Sequence, residues 1–164
     1  MRDPALWTRL AGTEFTLSSG AETLAHLVAR KLGLSGPKAA RTVHEYRRFL
    51  YLVACAGETL APSPLIDRVW HLHLEDTRAY LGDLCERVSG RVIHHMPGRP
   101  GLRQDLAYRP RLDLYRQEFG EAPFERVWPS PKTLRLERRI GGGLLGSFGL
   151  SSAIAEPEMA CRMR

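Results

Sequence analysis

Four of the six histidines fall between residues 71 and 95, as His71 and His73 in one segment and as His94 and His95 in another. Asp67 precedes the first pair at helical i, i+4 spacing. Neutral imidazole is a common ligand for zinc, iron, nickel and copper, and carboxylates complete sites of three or four ligands. These residue types at this spacing predict a site for one divalent metal ion, for which zinc and iron are the best matches.

Helical geometry limits which of these side chains can share one ion. Residues two apart on an α-helix point about 200° apart, at roughly 100° per residue, so His71 and His73 diverge. Asp67, His71 and Glu75 are spaced at i, i+4 and i+8 and therefore share one helix face. The predicted site combines His71 with Asp67 or Glu75 and with one imidazole of residues 94–95.

The same residues divide into catalytic groups, ligands and supporting groups. The candidate catalytic residues are Asp67, His71 and His73. The candidate metal ligands are Asp67, His71, His94 and His95, and the residues expected to support the site are Trp70, Glu75 and Tyr80. Asp67 either binds the ion or accepts the hydrogen bond that fixes an imidazole tautomer, while an open coordination position holds water or substrate. A metal-dependent enzyme of unspecified reaction is one interpretation of this set.

Two interpretations without a metal stay open. On a second face of the same helix, Trp70, His73 and Tyr80 recur at helical spacing, which is more often typical of a packed core than of a substrate surface. In that case the histidines form a buried polar network that fixes helix packing, and the chain is a non-catalytic interaction or scaffold domain. The third interpretation is a small enzyme that uses a His–Asp pair as a general base without a metal.

Other catalytic templates do not occur in the sequence. It contains no Gly-x-Ser-x-Gly elbow, no Gly-x-x-x-x-Gly-Lys-Ser/Thr phosphate loop and no Gly-x-Gly-x-x-Gly motif after a strand, so no nucleotide cofactor is expected. Cys55, Cys85 and Cys161 have no paired spacing, which favours reduced thiols over disulfides or a Cys-based metal site. Cys85 lies among apolar helix positions and is predicted to be a small buried hydrophobe instead of a nucleophile.

The elements that must position these residues are helices. Apolar residues at helical spacing predict helices over residues 21–33, 37–55, 64–88 and 110–119, the third of which continues or restarts near residue 79. Ser63 and Pro64 supply an N-cap and a proline at the first position of the third helix. We therefore predict an all-α fold, a compact single domain of four to five helices.

The chain divides into three segments of different composition. Residues 1–20 are predicted to be a leader with little regular structure that packs on the domain. Residues 21–131 form the helical histidine-containing domain, with a Pro/Gly-rich loop over residues 91–103 and a segment around Trp128 that clamps the domain. Residues 132–164 are predicted to be a flexible glycine-containing tail.

The composition is that of a soluble globular domain, with 43% hydrophobic and 26% charged residues in 164. The formal charge of +6 belongs mainly to residues 86–139, where arginines are interspersed with turns and form no continuous helical stripe. This distribution argues against a nucleic-acid partner.

No apolar run is long enough for a membrane helix and the start lacks a secretory signal, so we expect a cytoplasmic protein without membrane contact. Its partner is an unknown protein or small molecule.

Short runs along residues 24–130 occur in an order that carries a resemblance. They are Val43 to Leu50, the Asp-x-x-Trp-His-x-His core of residues 67–73, the His-His-Met-Pro of residues 94–97, Phe119-Gly120 and Trp128-Pro129. In this order they resemble the glycine-rich domain-containing protein-like family. The resemblance implies a compact, mainly helical domain found in bacteria, fungi and plants. It marks Asp67, Trp70, His71, His73, Tyr80, His94 and His95 as a unit without naming a substrate. After the double histidine, the family's Pro-x-x-Gly-Gly run is replaced by Pro97-Gly98-Arg99-Pro100-Gly101, so no loop function carries over.

Overall fold

A computed structural model describes residues 1–56, 60–95 and 104–133, with side chains for all of these except 104–111. The predicted flexible tail lies outside the described residues from residue 134 onward. The part of the predicted Pro/Gly-rich loop that spans residues 96–103 also lies outside them. The fold and the candidate site are therefore built from the three described ranges.

Within these ranges the chain is helical, which confirms the all-α prediction. The named elements are α1 (Pro4–Gly12), α2 (Leu24–Leu32), α3 (Gly36–Ala56), α4 (Pro64–Glu75), a π-helix (Arg78–Ser89) and α5 (Gln104–Phe119). Residues 131–133 are also helical. The described ranges contain no β-strand, and a single antiparallel bridge pairs Thr16 with Thr23. In the part of the chain that is described, no helix has the length and apolar character needed to cross a membrane.

Helix α1 corrects the expectation of little regular structure in residues 1–20. The Asp3 carboxylate accepts a hydrogen bond from the Leu6 amide at 2.8 Å, and Pro4 occupies the first turn. Both features favour a helix start, so the signal was present in the sequence. Leu6 and Leu10 are buried at i, i+4 spacing, and the Arg9 guanidinium donates to the Val88 carbonyl at 2.9 Å. The leader thus becomes a helix that packs on the domain.

Helix α3 is the centre of the fold and contacts α1, α2, α4 and α5. Its buried apolar residues follow helical spacing and include Ala39, Val43, Tyr46, Phe49 and Leu50. Full burial of a large apolar side chain such as Phe49 or Leu50 contributes about 1.5–3 kcal/mol. Every element that carries a candidate site residue therefore packs, directly or through a neighbour, on α3.

A buried carboxylate joins α3 to the C-terminal half of the described chain. The Glu45 side chain is fully buried, and its Oε2 accepts hydrogen bonds from the Tyr115 hydroxyl and from the Trp128 indole, both at 2.9 Å. Arg41 and Arg48 lie 3.6 and 3.7 Å from Glu45 Oε1. These contacts hold Trp128 against the core and explain how the segment around it clamps the domain.

Helix α4 begins where the sequence predicts. The Ser63 hydroxyl accepts a hydrogen bond from the Ile66 amide at 3.2 Å, and Pro64 occupies the first turn. Asp67 also lies in the first turn, where a negative charge complements the helix dipole. The buried face of α4 consists of Ile66, Val69, Trp70, Leu72 and His73. This orientation leaves Asp67 and His71 on the outer face.

The chain restarts after α4 as a π-helix. Asp76 makes the junction, because its carboxylate accepts hydrogen bonds from the Ala79 amide at 3.1 Å and from the Ser18 amide at 2.7 Å. The π-helix ends at Gly90, whose φ of 71° lies in the left-handed region that glycine adopts without strain. Helix α5 starts at Gln104, six positions before the Pro110 that was expected to open it. Apolar spacing did not predict that Arg78–Ser89 forms a π-helix instead of an α-helix.

Candidate metal centre

Asp67, His71 and His95 form the described cluster of side chains that can hold a metal ion. Each offers one ligand atom, and the three atoms lie within 4.8 Å of one another. Asp67 and His71 come from the outer face of α4, one helical turn apart, and His95 comes from the segment after the π-helix. Two imidazoles and one carboxylate thus converge from two separate parts of the chain.

The His71 ring is oriented by its own helix. Its Nδ1 lies 2.8 Å from the Asp67 backbone carbonyl and 3.6 Å from the Asp67 carboxylate Oδ2. A carbonyl oxygen only accepts, so Nδ1 carries the hydrogen and donates. In the neutral ring, Nε2 then has its lone pair free. A metal-ligating histidine characteristically donates its second ring N–H to a carbonyl or carboxylate, and His71 is arranged in this way.

His95 closes the cluster from the other side. Its Nε2 lies 3.0 Å from Asp67 Oδ1, and the ionised carboxylate can only accept, so Nε2 donates. The His95 ring packs edge-on against the rings of Trp70 and His71, with centroid separations of 4.5 Å in both cases. To bind a divalent ion through Nε2, His95 would have to release its Nε2 proton. His95 and Asp67 could then each donate a lone pair to the ion.

The cluster is open to solvent on one side. The side chains are 57% exposed for His71, 39% for Asp67 and 17% for His95. Three protein ligands on a partly exposed surface leave coordination positions for water or for a substrate, as catalytic metal sites do and closed structural sites do not. The arrangement therefore has the donor set and the access that metal-assisted chemistry requires.

Two of the predicted supporting residues lie directly behind the cluster. The Trp70 indole N–H donates to the Tyr80 hydroxyl at 2.8 Å, and that hydroxyl donates to the Ile93 carbonyl at 2.6 Å. Trp70 and Tyr80 are both buried. This chain of hydrogen bonds connects α4 through the π-helix to the segment that carries His95.

His73 lies in the core and is not part of the cluster. It is 1% exposed, its Nδ1 lies 3.2 Å from the Tyr46 hydroxyl, and its ring packs against Phe15 and Tyr80. Burial lowers the pKa of His73 to about 4, with a smaller opposing effect of Asp76 and a smaller lowering by Arg47. His73 is therefore a neutral, hydrogen-bonded core histidine near pH 7.

The structure does not bring Glu75 or His94 into the cluster. Glu75 is exposed and lines a shallow surface groove together with Asp76 and Arg78. His94 is exposed beside the half-buried His95. Of the two carboxylates and two loop histidines that the sequence left open, Asp67 and His95 are the pair that meets His71.

Sequence reasoning missed two partners of the site residues. The Tyr46 hydroxyl, from α3, pairs with His73, and the Ile93 backbone carbonyl receives the Tyr80 hydroxyl. Tyr46 recurs at helical spacing with Val43, Phe49 and Leu50, a pattern that predicts its burial but says nothing of its hydroxyl. The sequence signal for Ile93 is weak: it is one of two adjacent apolar residues, with Val92, just before the double histidine.

The fold and the cluster define a small helical domain with a His/Asp site that can hold a metal ion. Comparisons with protein-family models, with curated proteins and with solved structures find no match to this chain. The resemblance to the glycine-rich domain-containing protein-like family therefore stays a prediction.

Proposed function

We propose that this domain binds one divalent metal ion, zinc or iron(II), through Asp67, His71 and His95, and that the bound ion supports chemistry on a small-molecule substrate. The observation that carries the proposal is the convergence of the three ligand atoms within 4.8 Å on a partly exposed surface. The hydrogen bond from His71 Nδ1 to a backbone carbonyl supports it, because it leaves Nε2 as the ring nitrogen with a lone pair for a metal.

The donor set narrows the chemistry to two classes. Two imidazoles and one carboxylate bind zinc in hydrolytic sites and bind iron(II) in sites that activate oxygen. A bound zinc ion would lower the pKa of a coordinated water to about 7, which supplies a nucleophile at neutral pH. The identity of the metal therefore decides between a hydrolytic and an oxidative reaction.

Metal content is the direct test. Untagged protein is reconstituted with Zn²⁺, or anaerobically with Fe²⁺, freed of excess ion and measured by elemental mass spectrometry. We expect close to one ion per chain in the wild type and a loss of the ion in His71→Ala and His95→Ala. The matched controls are His94→Ala, the exposed neighbour of His95, and His26→Ala, an exposed histidine on α2. Both controls should retain the ion.

Two outcomes would contradict the proposal. The first is wild-type protein that holds neither metal after reconstitution. The second is equal metal content in His95→Ala and His94→Ala, because the ion would then be bound elsewhere. Membership of the glycine-rich domain-containing protein-like family belongs to the same proposal, supported by the Asp-x-x-Trp-His-x-His run of residues 67–73 on α4.

A second candidate is a non-catalytic interaction or scaffold domain with structural histidines. The observation that favours it is His73, which is buried and paired with Tyr46 in the manner of a packing residue. It accounts for His73 and for the Trp70–Tyr80 hydrogen bond, but it gives no role to the exposed His71. A wild-type protein without bound metal and with unchanged stability in His71→Ala would favour this candidate.

A further inference from the structure

Among residues 91–95, Ile93 is the one residue that is buried in the core. Burial alternates along residues 92–95: Val92 is 54% exposed, Ile93 is 3% exposed, His94 is exposed and His95 is half-buried. The same alternation places His95 on the side of the segment that faces α4, and it turns His94 to solvent. The position of Ile93 thus determines which of the two histidines reaches Asp67.

The carbonyl of Ile93 is held by a buried hydroxyl. Tyr80 donates to it at 2.6 Å and accepts from the Trp70 indole at 2.8 Å. Tyr80 is 2% exposed, so water cannot replace its hydroxyl without opening the core. The Trp70 ring also packs against the His95 ring, with a centroid separation of 4.5 Å. Trp70 therefore contacts both the Tyr80 hydroxyl, which holds Ile93, and the His95 side chain.

Cys85 is buried on the same π-helix as Tyr80. Burial raises the pKa of the Cys85 thiol, while hydrogen bonds with the Ile93 backbone and the Tyr80 hydroxyl act in the opposite direction. Tyr80 and Cys85 are five residues apart. In an α-helix such residues point about 140° apart, whereas an i→i+5 repeat stacks them on one face. The π-helix therefore turns Cys85 toward the side of the helix that carries Tyr80.

We propose that Tyr80, with the buried Cys85 on the same π-helix in support, clamps the Ile93 backbone and thereby positions His95 for metal binding. In an α-helical Arg78–Ser89, Cys85 would point about 140° away from Tyr80 and could not support it. Tyr80 and Cys85 are positioning residues, since neither belongs to the ligand cluster. The inference rests on the proposed metal function, but the clamp itself also acts in the metal-free protein, where it keeps His95 Nε2 next to Asp67.

The test compares two buried tyrosines that each lose one hydroxyl. Tyr80→Phe removes the clamp, and Tyr46→Phe removes the hydroxyl that pairs with His73 and serves as the matched control. Zn²⁺ affinity is measured by competition with a chromophoric chelator, and long-range ¹⁵N NMR reports the tautomer of His95 in metal-free protein. We expect a loss of about 10–100-fold in Zn²⁺ affinity for Tyr80→Phe. We expect wild-type affinity for Tyr46→Phe, and a smaller loss in the same direction for Cys85→Ala.

The NMR measurement separates the clamp from the proposed function. In metal-free wild type and Tyr46→Phe, the His95 signals should report one tautomer with the proton on Nε2, and in Tyr80→Phe they should report a mixture. If the wild type binds no metal but this change occurs, the metal proposal fails and the clamp stands. If Tyr80→Phe is folded by circular dichroism and keeps both the single His95 tautomer and wild-type Zn²⁺ affinity, the clamp is overturned. Cys85→Ala provides the same two readouts should Tyr80→Phe fail to fold.

Discussion

His71 and His73 stand two residues apart on α4 and have opposite surroundings. His71 projects from the outer face, where it meets Asp67 and His95, and its side chain is 57% exposed. His73 is 1% exposed and pairs with Tyr46. The same residue type thus becomes a candidate ligand or a core residue according to helical phase alone. The helix face that a histidine occupies, and not its place in a His-x-His motif, therefore decides whether it can join the cluster.

The largest expected difference between the two histidines is in their response to acid. The folded-state pKa of His73 is about 4, against an ordinary value of 6.5, because burial disfavours its charged form. The unfolded chain therefore binds a proton between these values, and stability falls as pH falls from about 6.5 to about 4. The full loss is about 3 kcal/mol in the free energy of unfolding. Urea unfolding of metal-free protein across this pH range measures it.

His73→Gln is the control for this pH dependence. A glutamine amide can still pair with the Tyr46 hydroxyl but does not titrate, so the slope of stability against pH attributed to His73 should disappear. Asp76 and Arg47 are the charged groups that act on His73, and both remain in this variant. An unchanged slope in His73→Gln would assign the acid sensitivity to other groups.

Added metal should stabilise the folded protein through His71 and not through His73, the reverse of the acid response. Zn²⁺ at about 100 times its dissociation constant should raise the free energy of unfolding of the wild type by about 2.7 kcal/mol, because only the folded chain assembles the cluster. His73→Gln should show the same stabilisation and His71→Ala should show none. Thermal unfolding with and without Zn²⁺ provides the comparison, and equal stabilisation of both variants would remove the distinction.

Alanine substitutions without metal should separate the two histidines by stability. His73→Ala leaves the Tyr46 hydroxyl without its partner and creates a cavity, so we expect a loss of about 1–3 kcal/mol. His71→Ala removes an exposed side chain and should change the free energy of unfolding by about 0.5 kcal/mol or less. Urea titration at pH 7 with a chelator present measures both. Equal losses would mean that His71 has a structural role that its exposure does not indicate.

Much of α4 could be predicted because its signals are local. Ser63 and Pro64 fix the start of the helix, and helical spacing then puts Asp67 and His71 on one face and His73 on the other. These features depend on contacts within a few residues, which a sequence pattern records directly. The pairing of His71 with Asp67 followed from the same spacing, whereas the approach of a loop histidine was predicted from residue type alone.

The choice of His95 over His94 could not be predicted, and neither could the π-helix. The choice of histidine follows the burial of Ile93, whose carbonyl accepts a hydrogen bond from Tyr80, 13 positions earlier in the chain. The pairing of His73 with Tyr46 spans 27 positions and is equally invisible to local spacing. Helix α1 is a different case: Asp3 and Pro4 signal its start locally, but it buries two residues, Leu6 and Leu10, where the equally long α2 buries four, so its periodic pattern is weaker.

The smallest of these effects concerns the cap that positions both histidines. Ser63→Ala removes the hydroxyl that accepts from the Ile66 amide, and we expect a loss of about 1 kcal/mol in the free energy of unfolding. Ser63→Thr keeps a hydroxyl and should restore most of it. Thr23→Ala removes the corresponding cap of α2 and provides a control away from the cluster. Because the rest of α4 stays packed on α3, Ser63→Ala should lower stability without reducing Zn²⁺ affinity. A loss of affinity in Ser63→Ala but not in Thr23→Ala would mean that the first turn of α4, which carries Asp67, is ordered by its cap and not by core packing.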